Sequence, residues 1–210
     1  VPCAVLYVCS VRFAPALCGQ FGVCWSGFMF AVALTLQSGL GLSAFESGNA
    51  FIALGAAYFI GSMRSTRMVE RFGKRLTLLA GCSIQMVGLL ALIGTFQLAW
   101  PQVGVFTLIP ATILIGFGQS FIVSTFYRIG MSGVPHHQAG AGSAVLSTVQ
   151  QSALGLGPML LGGVFTQINL HGNHLAAISG TLGVELLMMA LLVIVTSLNR
   201  RTFQPATVEG

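Results

Sequence analysis

GSMRSTRMVERFGKR, residues Gly61–Arg75, decides the fold. It holds four of the chain's eight arginines and its only lysine. Apolar runs flank it: Ser47–Ile60 (SGNAFIALGAAYFI) before, and Leu76–Phe96 (LTLLAGCSIQMVGLLALIGTF) after. A dense cationic stretch between two membrane-length runs fixes an orientation. Lys and Arg collect on the cytoplasmic side of membranes, so this stretch reads as a cytoplasmic loop. The rest of the topology is counted outward from it.

Composition agrees. The chain has 210 residues, of which 55% are hydrophobic and 6% charged, with a mean hydropathy of +0.88. An ordinary soluble domain carries about 25% charged residues. The sequence therefore predicts an all-α integral membrane protein with the lipid bilayer as its surroundings. Aspartate is absent and the net charge is +5. The cations sit at helix ends rather than along one face, which excludes a nucleic-acid partner. The five cysteines form no C-x-x-C pair, and the four histidines, His136, His137, His171 and His174, all fall in expected loops. Neither set has the clustering that a metal site needs. No H-E-x-x-H, G-x-S-x-G or P-loop pattern is present, so an enzyme is not expected. The chain opens on Val1 without a visible cleavable signal, and reads as a fragment that lacks an N-terminal part.

In chain order, residues 1–12 read as a cytoplasmic lead-in or the end of a lost helix. Six transmembrane helices follow at about 13–36, 47–64, 76–96, 103–127, 141–165 and 175–198, each close to the ~20 residues that cross a ~30 Å core. Residues 199–210 form a polar tail. Gln37–Gly48 is a Gly/Ser-rich loop, and Gln97–Gln102 is a turn with Trp100 as interfacial anchor and Pro101 as breaker. Placing Gly61–Arg75 inside also puts Arg12, Arg128, Arg200 and Arg201 inside, and leaves the three opposite loops without Lys or Arg. Both ends are then cytoplasmic, and the first three helices are inverted relative to the last three. Many secondary transporters use such a three-plus-three arrangement.

Three motifs carry a family resemblance. Met68–Arg75, MVERFGKR, resembles the signature loop of the major facilitator superfamily, G-x-x-x-D/E-R-x-G-R/K-R/K, which joins the second and third helices of a half. Glu70, Arg71, Gly73, Lys74 and Arg75 match it, while Thr66 stands where the pattern has its leading glycine. IGFGQSF from Ile115 and VPHHQAGAGSAVLSTVQQSALGLG from Val134 to Gly157 resemble late helices of the fourteen-span drug:proton antiporters, the EmrB/QacA-type multidrug exporters. TLQSGLGLSAFESG from Thr35 is similar to the segment after the first helix of that half. The resemblance spans roughly 13–163. It implies one half of the major facilitator fold, the C-terminal half of an exporter whose N-terminal half is missing here.

The residues suggest roles within that frame. The resemblance implies that Glu70, Arg71, Gly73, Lys74 and Arg75 form a cytoplasmic gating loop. Gly73 stands where a tight turn needs positive φ, and Glu70 and Arg71 are placed to pair with neighbouring helix ends. Ser143, Ser147, Gln151 and Gly155 recur at i, i+4 and share one face of the fifth helix. Of these, Ser147 and Gln151, together with Gln119 of the fourth helix, are candidates to line a substrate cavity. Glu185, the one acid deep in a span, is a candidate for proton coupling. The predicted function is proton-coupled efflux of drugs or other amphipathic small molecules from the plasma (inner) membrane by alternating access. Its energy comes from the proton gradient, without a cofactor. A carrier of a narrow metabolite class, such as a sugar or small acid, and a non-transporting membrane protein are the alternatives.

Overall fold

The computed structural model describes residues 9–131, 134–135, 138–170 and 173–198, the first ten as backbone only. The tail 199–210, most of the lead-in, and His136, His137 and His171 lie outside the described residues.

Helix α1 is Cys9–Leu34, and a π-helical turn, Thr35–Gly39, closes it. The chain turns at Gly41, whose φ of 69° suits a residue without Cβ. The short helix α2, Ala44–Asn49, follows and begins with a capping box. The Glu46 amide donates to the Ser43 hydroxyl at 3.2 Å, and the Ser43 amide donates to the Glu46 carboxylate at 2.9 Å. The Gly/Ser-rich segment expected to be a loop is thus an ordered corner.

Helix α3, Ile52–Ala99, corrects the expected cationic loop. Helix runs on through Gly61–Phe72, breaks at Gly73 alone, and resumes at Lys74. Arg, Met, Glu and Lys are good helix formers, and their long side chains can reach water from a helix end. At Gly73 φ is 79° and ψ 163°, a region open essentially only to glycine. Unbroken, 48 residues would extend about 72 Å, far beyond one ~30 Å hydrocarbon core. The break folds the helix into a hairpin with arms 52–72 and 74–99.

Both arms pack on helix α4, Val105–Met131. Leu54 and Gly61 of the first arm lie against Gly116 and Ser120, so that arm runs parallel to α4. Gly81 and Gly88 of the second arm lie against Gly118 and Ile115, so it runs antiparallel. Gly81 and Gly118 meet face to face. A Cβ on either would stand within 2.9 Å of the other's carbonyl oxygen. Small residues let the backbones approach this closely.

Helix α5, Ala139–Asn169, packs along α1 in the parallel sense. Gly22 meets Ala153, and Gly157 lies against Val23 and Ser26. Helix α6, His174–Leu198, closes the bundle antiparallel to α1 and to the second arm of α3. Gln20 Nε2 donates to the Met188 carbonyl at 3.0 Å.

The core is Phe28, Leu36, Leu78, Leu89, Phe96, Ile115 and Phe165, all fully buried or nearly so. Phe59, Met63, Phe106, Met159 and Leu187 are exposed on the outside of the bundle. Helices apolar on both faces need an apolar solvent. By length and composition, four helical stretches among the described residues can cross a membrane: Gly19–Gly39, Ala44–Ala99, Val105–Met131 and His174–Leu198. The second of these contains both arms of α3. Helix α5 is not among the four, because Ser, Thr, Gln and Gly dilute its apolar residues.

Candidate functional site

Four hydrogen bonds from three cations tie the cationic end of the bundle together. Arg75, just past the α3 break, donates from Nη2 to the Ser197 carbonyl at 2.9 Å and from Nε to the Thr196 carbonyl at 3.3 Å. It thereby satisfies two of the carbonyls that the last turn of α6 leaves unpaired, where the helix dipole also favours a cation. Lys74 Nζ donates to the Arg128 carbonyl near the end of α4, at 3.4 Å. Arg128 Nη2 donates to Thr66 Oγ1 at 3.0 Å. Thr66, the departure from the signature pattern, is therefore a hydrogen-bond acceptor that the pattern's glycine could not supply.

Among the described residues, neither Glu70 nor Arg71 bonds to a neighbouring helix end. Both are exposed. The Arg71 guanidinium lies 5.4 Å from the Phe72 ring centroid, and among the described residues Glu70 has no ion pair. The contacts expected of them are made instead by Lys74 and Arg75, because the helix persists through Phe72 and leaves Glu70 and Arg71 on its outer surface.

A cavity of about 320 Å³ opens where α1, the first arm of α3, α4 and α5 meet. Its walls are aromatic: Phe21 and Trp25, Tyr58, Phe126 and Tyr127. Phe21 and Phe126 pack at 5.6 Å between centroids. Gly22 and Gly55 leave the space, and a Cβ on Gly55 would meet nothing within 4 Å. Two amides supply polarity. Gln119 lines the cavity at 4% exposure, and its Oε1 has no hydrogen-bond partner. Gln150 also lines it, and its Oε1 accepts a hydrogen bond from the Tyr127 hydroxyl.

Of the three cavity candidates, Gln119 lies in this wall. Ser147 and Gln151 stand on the exposed face of α5 and do not line this cavity. Successive helical residues are rotated by about 100°. The polar i, i+4 face therefore points away, while the adjacent Gln150 points in. Sequence reasoning missed Gln150 and Tyr127. The Gln150-Gln151 pair offered the amide but not the choice between its two members.

Glu185 is buried within the bundle, beside Gln85 of the second arm of α3 and close to Cys24 of α1. The Glu185 carboxyl oxygens and both amide atoms of Gln85 are buried without a hydrogen bond of normal geometry. Gln85 and Glu185 are each 1% exposed. Unpaired polar groups buried this deeply are unfavourable by about 1–3 kcal/mol each. Among the described residues, no cluster of His, Cys, Asp and Glu could hold a metal.

Comparison with known proteins gives the relatives. Residues 4–158 match the family model of the Major Facilitator Superfamily. A puromycin resistance protein of Streptomyces alboniger is 34% identical over 149 residues, covering 70% of this chain and 28% of the relative. A putative multidrug resistance protein, MdtD, of Cronobacter sakazakii is 31% identical over 180 residues, 81% of this chain and 35% of the relative. A probable actinorhodin transporter of Streptomyces coelicolor is 27% identical, over 67% of this chain and 24% of the relative. The chain spans about a third or less of the length of these curated relatives.

Proposed function

The chain belongs to the major facilitator superfamily, and we propose that it is the C-terminal, six-helix half of a proton-coupled exporter of amphipathic small molecules. It is a multi-pass membrane protein. The cavity between α1, α3, α4 and α5 carries the reading: five aromatic side chains and two amides around an opening left by two glycines. Aromatic faces bind apolar cargo without demanding one shape, and a few amides orient it. A carrier of sugars or small acids would need more fixed polar groups. The relatives named as resistance proteins and antibiotic transporters support export.

Helix pairing supports the three-plus-three plan. The first arm of α3 runs parallel along α4, as α5 runs parallel along α1, and both contacts are made by small residues. Superposing α1 on α4, the first arm on α5 and the second arm on α6 exchanges these pairs, as an inverted repeat requires. In this reading the break at Gly73 lies on the cytoplasmic side of the inner membrane, as do both chain ends. Glu70 and Arg71, exposed beside it, are left to meet the other half and gate access, while Lys74 and Arg75 fix the turn to α4 and α6. Ser147 and Gln151, on the exposed face of α5 that turns away from this cavity, are left to meet cargo only where the N-terminal half faces them. Glu185 is the candidate proton carrier, and the proton gradient replaces any cofactor.

The test is Gly55→Leu in the complete transporter. The site has room for the side chain, and Leu is a better helix former than Gly by about 0.8–1.0 kcal/mol. Stability is therefore expected to hold or rise while dye efflux from cells lacking their own exporters falls. Unchanged efflux with a filled cavity would overturn this cavity as the cargo site.

A further inference from the structure

A second cavity, about 440 Å³, lies beside the first at the cationic end, between the first arm of α3 and α4. Ser62, Ser65, Thr66 and Ser124 line it with hydroxyls, and Arg128 supplies the one ionised group. Tyr127 is a wall of both cavities. The hydroxyls are ordered by their own bonds: Ser65 donates to Ser124 at 2.9 Å, and Thr66 accepts from Arg128 at 3.0 Å. That bond uses one of the five N–H donors of the guanidinium. No carboxylate lines either cavity. Glu70 follows Thr66 by one turn of the first arm, but it forms no ion pair with Arg128 among the described residues. Lys74, bonded to the Arg128 carbonyl, adds a second positive charge nearby.

The aromatic cavity thus shares one tyrosine wall with a hydroxyl-lined vestibule whose field is positive. Such a field attracts anions and opposes cations. Resting on the cargo-cavity reading above, we infer that this half selects aromatic molecules bearing an acidic group, with Arg128 as the specificity residue and Thr66 positioning it. The aromatic body lies among Phe21, Trp25 and Phe126, and the acid reaches the guanidinium, which pairs with a carboxylate in two parallel hydrogen bonds.

A matched dye pair tests this. Rhodamine 110 carries a free carboxyl, and rhodamine 123 is its methyl ester with the same ring system. Binding of each to the complete transporter in nanodiscs is read by fluorescence polarisation. Rhodamine 110 is expected to bind at least tenfold tighter, the size of one charge-assisted hydrogen bond. Arg128→Gln should abolish that preference by weakening rhodamine 110 alone. Arg128→Lys should keep part of it, and Thr66→Val should reduce it. Unchanged rhodamine 123 affinity in each variant shows an intact cavity. Equal affinities for the two dyes, unaltered by Arg128→Gln, would overturn the inference and leave the cargo cavity standing. Failure of both dyes to bind a folded transporter would overturn the cavity reading and the inference with it.

Discussion

The Tyr127 hydroxyl of α4 donates a hydrogen bond to Gln150 Oε1 of α5. It joins two helices that otherwise touch little, at a residue that walls both cavities. Tyr127→Phe keeps the ring and removes the bond, which should lower stability by about 0.5–1.5 kcal/mol. Adding Gln150→Leu to that background should lower it no further, because the partner is already gone. Thermal unfolding of the four members of the cycle measures the coupling. Fully additive losses would mean that the bond contributes nothing.

Gly73 gives a prediction of sign. Its φ of 79° and ψ of 163° lie where a Cβ is strained, so Gly73→Ala should destabilise by about 1–3 kcal/mol although nothing crowds the site. Gly94, in the second arm of α3, is equally uncrowded but has no positive φ. There the same substitution should stabilise by about 0.8–1.0 kcal/mol. Thermal melts of the two variants decide it, and shifts of the same sign would refute the account of the break.

These two glycines mark how far the sequence could be read. Gly73 was legible because the cationic motif named it and its flanks are apolar. The length of the helix around it was not, since loop-like charge and helix-forming side chains share the same residues there. On α5 the polar periodicity was plain, yet which face turned inward depended on where Gly22 and Gly157 let α1 approach. That is a tertiary fact, and it selected Gln150 over Gln151. Glu185 stood out as a lone acid in an apolar run. Its neighbour Gln85, 100 positions earlier in the chain, could be found only by folding it. Thr66 looked like a defect in a motif until Arg128 was seen to bond to it.

Arg75 and Arg71 are four residues apart and should respond differently. Arg75→Lys replaces a two-pronged donor to Thr196 and Ser197 with one ammonium. The loss should be about 1.5–3 kcal/mol, one charge-assisted hydrogen bond. Faster amide hydrogen exchange in the last turn of α6 would report it locally. Arg71→Lys, exposed and resting only on Phe72, should change neither stability nor exchange. If the two variants behave alike, the cation at position 75 acts through charge alone, and its docking on α6 is incidental.

Glu185 and Gln85 separate a structural pair from a coupling residue. Each is buried among apolar helices beside the other, and among the described residues neither has a hydrogen bond of normal geometry. Gln85→Leu alone leaves a carboxyl without a polar neighbour and should destabilise by about 1–3 kcal/mol, whereas Gln85→Leu with Glu185→Leu should restore near-native stability. That cycle tests the packing of the pair and says nothing of transport. Glu185→Gln keeps the shape and removes the titrating group. If Glu185 carries the coupled proton, this variant should bind cargo normally but lose protonophore-sensitive efflux. If efflux stays proton-driven, the carboxyl is a packing acid and the coupling proton binds elsewhere. The two readouts are independent, because amide-for-carboxyl replacement preserves the packing that the leucine cycle probes.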